Sequence, residues 1–308
     1  METDINIKYL IANQQDKLWG VTVTTVGYQQ ILPHTVYPPR NHPTQYLFSA
    51  HKGRTLDEYI LLYIANGSGT FSSDKQKNIR LTAGSMLLLF PGEWHHYEPD
   101  PSTGWDEYWI GFQGDGVEAL VHNGFFSEQK KVFNVGSSLE MVQLFRMAIS
   151  VAAKQKTGFQ QILGGITNLL LGMTHSLDKL QSFDQSQQVQ LIDKAKLIIF
   201  ENSHTNITME DVAGKLCMSY SSFRRNFKQY TGLSPHQYLQ EIRVQKSKEL
   251  LVATSLTCQE IAYKIGYESP ILFNITFKKR TGLTPVKFRE YYQRNESCTL
   301  NYSKATEE

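Results

Sequence analysis

Phe223-Arg-Arg-Asn-Phe-Lys-Gln-Tyr-Thr-Gly-Leu-Ser-Pro235 and Phe273-Asn-Ile-Thr-Phe-Lys-Lys-Arg-Thr-Gly-Leu-Thr-Pro285 are one pattern written twice, fifty residues apart. Upstream, Ile207-Thr-Met-Glu-Asp-Val-Ala213 corresponds to Leu256-Thr-Cys-Gln-Glu-Ile-Ala262 at an offset of forty-nine. The extra residue falls in the turn between the matched stretches, so a whole supersecondary unit is duplicated.

Each copy reads as two short helices around a tight turn. Thr208 with Asp211, and Thr257 with Glu260, have capping-box spacing; Val212, Ala213, Leu216 and Ile261, Ala262, Ile265 then follow at helical spacing. Ser219 caps the second helix of the first copy, with Phe223 and Phe227 on its buried side. In the second copy Gly266 supplies the turn and Ser269-Pro270 opens the helix. Gly232 and Gly282 stop these helices, and Ser234-Pro235 and Thr284-Pro285 start the next. A connecting helix from Pro235 to about Ala253 buries Tyr238, Leu239, Ile242, Leu250 and Leu251. At 1.5 Å per residue it spans roughly 27 Å. That length can hold the two second helices about one DNA turn, roughly 34 Å, apart.

Charge points the same way. Between Gln188 and Asn295, 16 Lys plus Arg stand against 9 Asp plus Glu, a net of +7; the remaining 15 and 20 give −5. A basic C-terminal third joined to an acidic first part suits a segment that meets a polyanion.

Helix-turn-helix, long connecting helix, helix-turn-helix, with Phe-Lys-x-x-x-Gly-x-Ser/Thr-Pro after each recognition helix, resembles the AraC/XylS family of bacterial transcription regulators over Leu191 to Tyr292. The resemblance implies promoter DNA as a partner, RNA polymerase as a second, and no enzymatic activity. In the first copy Tyr220, Ser221, Arg224 and Arg225 lie off the Phe223/Phe227 side and can face base edges; Arg225 stands where the family usually has arginine. In the second copy the corresponding base-facing set is Ser269, Ile271, Asn274 and Ile275. Ile275 replaces the arginine, so the second unit is expected to read less strictly. Ser219, Lys228, Lys278, Lys279 and Arg280 are expected on phosphates. Arg243, at a position often arginine in the family, has two readings, structural or DNA-facing.

Residues 18 to 112 carry short β-rich runs, Val21 to Val26, Tyr59 to Ile64 and Leu81 to Phe90, with Gly67-Ser68-Gly69 as a turn signal. Closely spaced strands suggest an antiparallel barrel or sandwich. The run Leu81-Thr-Ala-Gly-Ser-Met-Leu-Leu-Leu-Phe-Pro-Gly-Glu-Trp-His-His-Tyr97 resembles the strand, Pro-Gly turn and His-containing strand of the cupin fold, the sensor that usually precedes this DNA-binding module. The expected fold class is thus two-domain α+β: a cupin-like double-stranded β-helix with a helical dimerisation segment, then an all-α double helix-turn-helix.

Alternation puts Trp105, Glu107 and Trp109 on one strand face and Glu93, His95 and Tyr97 on another. Indoles, carboxylates and imidazoles together suit a polyhydroxylated effector, a mono- or oligosaccharide by family expectation; ordinary core and surface is the competing reading. The proline-rich segment Pro33 to Pro43 is either a lid with Arg40 and His42 reaching the pocket, as in arabinose-type members, or a packed extended arm. A metal-dependent cupin lacks support: the strand from Glu58 to Ile64 has no histidine, and His34, His42 and His51 precede it. No cofactor and no metal are expected.

Helices are expected at Ser138 to Lys156 and Phe159 to Leu180, the second with an apolar stripe part of which covers the barrel; the resemblance implies that the rest pairs two subunits of a homodimer, as such helices do in dimeric members. The domains are expected at 1–180, 189–295 and a tail at 296–308, with the polar stretch 181–188 as linker. Hydrophobic content of 41% supports real cores. No apolar run approaches the ~20 residues of a membrane span, the N-terminus lacks secretory features, and three scattered cysteines (Cys217, Cys258, Cys298) make no disulfide framework. A cytoplasmic location is expected. The alternative function is a DNA-binding regulator whose barrel only dimerises or binds a protein or non-sugar effector.

Overall fold

The computed structural model describes residues 5–38, 53–182 and 186–292. Two compact units divide the chain, Met1–Ser182 and Phe183–Glu308.

The first unit's strands, among the described residues, are β1 (Ile5–Tyr9), β2 (Thr22–Ile31), β3 (Arg54–Thr55), β4 (Tyr59–Ser73), β5 (Ile79–Thr82), β6 (Ser85–Leu89), β7 (Trp94–Pro99), β8 (Trp105–Gln113) and β9 (Val132–Asn134). All their pairings are antiparallel. One sheet runs β1-β2-β8-β4-β6-β9, and the other joins β3, β7, the far half of β4, and β5. The shared strand corrects one expectation. Gly67-Ser68-Gly69 is no turn between segments but the corner at which β4 leaves β6 and β8 for β5 and β7. Gly67 has φ of 81°, and a Cβ there would lie 2.1 Å from the Gly104 carbonyl oxygen, so only glycine bends the strand here.

The central strands are apolar on both faces because both faces are covered. Tyr59, Leu61 and Tyr63 of β4 enter a core shared with the helices, while Ile60, Leu62 and Ile64 enter the core between the sheets. Short helices α1 (Gln14–Lys17) and α2 (Asp115–His122) flank the sheet ends. The long pair α3 (Leu139–Lys154) and α4 (Phe159–Ser182) closes the outer face with Phe145, Ala148, Leu163 and Leu170. Buried Gln160 of α4 satisfies β2 at its bulge, accepting from Val23 N at 3.0 Å and donating to Val23 O at 2.9 Å.

The second unit is helical: α5 (Ser186–Glu201), α6 (Met209–Lys215), α7 (Tyr220–Thr231), α8 (Pro235–Ala253), α9 (Cys258–Lys264), α10 (Pro270–Thr281) and a last helix over 285–292. The polar stretch expected as a linker at 181–188 is helical at both ends, since α4 reaches Ser182 and α5 starts at Ser186. Glutamine favours helix when nothing breaks it. The tail at 296–308 lies outside the described residues.

Both capping boxes form. Asp211 N donates to Thr208 Oγ1 at 3.0 Å, and Glu260 N to Thr257 Oγ1 at 3.2 Å, each carboxylate accepting in return. Gly232 and Gly282 end α7 and α10 with φ of 79° and 80°. Two cores result, one around Phe223 and Phe227, the other around Phe273 and Phe277. Arg243 of α8 is structural. Buried, it donates from Nε to Ser203 O (2.8 Å) and from Nη2 to Thr205 O (2.7 Å), with its cation 5.3 Å from the Tyr267 ring. Arg289 repeats the device in the second copy, donating to Leu251 O (3.0 Å) and Leu256 O (2.5 Å).

Candidate functional site

A small cavity, open at its mouth, lies in the first unit. Its walls include Tyr9 of β1, Thr25 of β2, Arg54 of β3, Tyr97 of β7, and Glu107 and Trp109 of β8. The register explains the convergence. β2 and β8 pair Gly27 with Trp109 and Gln29 with Glu107, so alternate residues of both strands share one face. Gly27 leaves the space that the indole fills: a Cβ there would meet the Trp109 ring at 2.2 Å.

Several polar atoms on this face are buried without a hydrogen-bond partner among the described residues: Thr25 Oγ1, both amide atoms of Gln29, Trp105 Nε1 and Glu107 Oε2. Buried polar groups are ordinarily satisfied, so such a cluster is the mark of a site that bonds something else. Burial pushes the Glu107 carboxyl up to about 8, with nearby Arg54 opposing the shift. At neutral pH it therefore carries a proton most of the time and can both donate and accept.

Arg54 organises the wall. Its guanidinium donates to the Tyr97 hydroxyl and, from Nε, to His95 Nε2 at 3.4 Å. Burial first, then the Arg54 charge, lower His95 to about 4. The ring is thus neutral at physiological pH, and the bond from Arg54 assigns its proton to Nδ1, which faces Glu93 O at 3.2 Å. Trp105, fully buried, packs 6.0 Å from Tyr97, and Tyr37 meets it edge-on at 6.3 Å.

Of the effector residues expected from sequence, Tyr97, Glu107 and Trp109 line the cavity, while His95 and Trp105 stand behind it. Glu93 does not belong there. It sits in the turn before β7, outside the alternation, and forms a buried ion pair with Lys131 at 2.9 Å. Arg40 and His42 lie outside the described residues. Sequence reasoning missed Thr25, Gln29 and Arg54. The first two occur on the alternating run of β2, which carried a signal; Arg54 reaches the site only because the two-residue β3 pairs with β7.

In the second unit α7 is held by buried Phe223 and Phe227 and turns Ser221, Arg224, Arg225, Lys228 and Gln229 outward on one face. Tyr220 is 37% exposed at its start. Ser219 is occupied as the cap, accepting from Ser222 N at 3.4 Å. On α10, Ile271, Asn274, Ile275, Lys278 and Lys279 are exposed, and Ser269 holds the N-cap position without a capping bond from its side chain. Arg280, expected on a phosphate, pairs with Glu241 of α8 at 2.6 Å, tying α10 to the connecting helix.

Among the described residues no cluster of His, Cys, Asp and Glu side chains could hold a metal ion, and no helix is long and apolar enough to cross a membrane. Residues 33–170 match the family model for an AraC-like ligand binding domain, and residues 212–291 match that for a helix-turn-helix domain. Over 244 residues the chain is 27% identical to the Msm operon regulatory protein of Streptococcus mutans serotype c, covering 78% of this chain and 86% of that one. It is 26% identical over 239 residues to the lactose operon transcription activator of Staphylococcus xylosus, covering 77% and 85%. It is 25% identical over 249 residues to the raffinose operon transcriptional regulatory protein of Pediococcus pentosaceus, covering 78% and 88%. A cupin-like sheet domain followed by a duplicated helix-turn-helix agrees with both family matches, and the chain belongs to the AraC family of DNA-binding transcription regulators, with a ligand-binding domain N-terminal to its helix-turn-helix domain.

Proposed function

We propose that the chain is a sugar-responsive activator, and that its effector is a neutral oligosaccharide bound in the Glu107 cavity. The observation that carries this is the set of buried polar atoms on Thr25, Gln29 and Glu107, beside the Trp109 indole, that have no partner among the described residues. Hydroxyls of the sugar satisfy those atoms, and its C–H face packs on the indole. Arg54, already committed to Tyr97 and His95, positions the wall rather than pairing with a ligand anion. The lactose and raffinose operon regulators among its relatives support an oligosaccharide.

In this reading the protein acts as a cytoplasmic homodimer on promoter DNA, with α7 and α10 in the major groove and RNA polymerase as its further partner. Effector binding changes how two DNA-binding units are presented, which is a coupling free energy between two sites. Arg224 and Arg225 read guanine edges; Lys228, Lys278 and Lys279 contact phosphates.

The test is thermal unfolding of the full chain against lactose, raffinose and a wider panel of sugars. A saturable rise in the first unit's midpoint, by linkage, is expected with one sugar. Glu107→Gln and Trp109→Phe should weaken it while leaving the protein folded. A folded protein that responds to no sugar of the panel would refute the sugar effector and leave a barrel that only dimerises or binds another class of ligand.

A further inference from the structure

The two recognition helices present the same face with different chemistry. The fifty-residue offset carries Ser221, Arg224, Arg225 and Lys228 of α7 onto Ile271, Asn274, Ile275 and Lys278 of α10. Ile271 is 71% exposed, Ile275 61% and Leu272, beside them, 52%. The fold does not ask for these side chains, because Phe273 and Phe277 anchor α10 from the opposite side. A lone exposed isoleucine would mean little, but Ile271 and Ile275 lie one turn apart on the same face of the helix, an apolar pair of the kind a partner covers.

Charge and position identify that partner. Lys278 and Lys279 follow one turn further along the same helix, exposed like Lys228 on α7. Apolar residues near the start of a helix with cations after them match a groove whose floor has an apolar feature and whose rim is phosphate. The apolar feature of the major-groove floor is the thymine C5-methyl group. Asn274 stands between the two isoleucines, and asparagine is the side chain that pairs with adenine N6 and N7.

We propose that α10 reads A·T base pairs, with Ile271 and Ile275 on thymine methyl groups and Asn274 on adenine, whereas α7 reads guanine through its arginines. This rests on the proposed docking of both helices on DNA. The duplicated unit is then a reader of two half-sites of opposite chemistry, and the second half-site is selective rather than permissive.

The experiment selects duplexes from a random-sequence pool with the full-length protein, then measures affinity as each thymidine is replaced by deoxyuridine, which removes only the methyl. Losses of about fourfold per methyl, the value of one buried carbon, are expected at positions clustered in one half-site and absent from the guanine-containing half. Ile271→Ala and Ile275→Ala should erase that sensitivity, and Asn274→Ala should relax the adjacent adenine. These positions are exposed, so circular dichroism should stay that of the parent. Affinity indifferent to deoxyuridine throughout, or sensitivity that survives both isoleucine variants, would overturn the inference and assign the apolar face to a protein partner. A pool that yields no enriched sequence would overturn the DNA-docking reading itself, and this inference with it.

Discussion

The two helix-turn-helix units share their capping boxes, phenylalanine anchors and glycine stops, yet they differ at the turn. In the first unit the turn residue in the left-handed region is Cys217, with φ of 54°; its counterpart at the forty-nine-residue offset is Gly266, with φ of 89°. The reason lies in what surrounds each turn. A Cβ on Gly266 would come within 2.8 Å of both the Arg243 guanidinium and the Ser203 carbonyl oxygen, whereas Cys217 is exposed. The second turn is therefore wedged against the arginine that holds the α5–α6 corner, with Tyr267 against the same cation and donating to Gln240 of α8. One copy could keep an ordinary side chain at its turn; the other gave it up to become the joint between them.

That contrast can be broken by mutation. The largest effect is expected for Gly266→Ala, which combines a left-handed alanine with displacement of the Arg243 clamp. It should cost about 3 kcal/mol in denaturant unfolding of the second unit, against well under 1 kcal/mol for Cys217→Ala. Next comes Arg243→Met, which removes the donor to the buried Ser203 carbonyl and the part-buried Thr205 carbonyl, and the cation on the Tyr267 face. A loss of about 2–3 kcal/mol is expected, with affinity for a two-half-site duplex falling more steeply than for either half alone. Arg289→Met, in the later and less enclosed clamp, should cost less.

On DNA the contrast reverses sides. Arg225→Ala should lose ~1–3 kcal/mol of binding and relax specificity at a single base pair, as read by competition among mutated duplexes. Equal losses on every sequence would move Arg225 to the phosphate contacts. The smallest effect is expected for Cys217→Gly, which relieves the left-handed conformation but loosens the unfolded chain. A net gain of ~0.5 kcal/mol should appear as a slightly raised unfolding midpoint.

What was legible in the sequence follows the range of the forces involved. Capping boxes, glycine stops and the connecting helix depend on neighbours within a few residues, and all occur as read. The alternation of β8 correctly grouped Trp105, Glu107 and Trp109, because a strand's period is local. Glu93 falls off this face because it lies in a turn, where strand alternation has no meaning. A glycine between extended runs usually makes a reversal; that β4 continues through Gly67 depends on partners at both ends of the barrel. Thr25, Gln29 and Arg54 join the site only through pairings with distant strands, which no local pattern records. Arg243 has its role decided by the carbonyls of Ser203 and Thr205, some forty residues earlier, which no local pattern brings beneath it.

The long strand β4 has a consequence for how the sensor domain breathes. Its first half is laced to β6 and β8 and its second to β5 and β7, so neither sheet can detach as a separate cooperative unit. Opening the pocket wall at β7 strains the same backbone that carries the helix-covered sheet. In native-state hydrogen exchange the amides along β4 should accordingly be released only with global unfolding of the domain, while the two residues of β3 should exchange through local fraying. The walls contributed by β7 and β8 would then be the durable part of the pocket, and the β3 side the part that yields to let a ligand in.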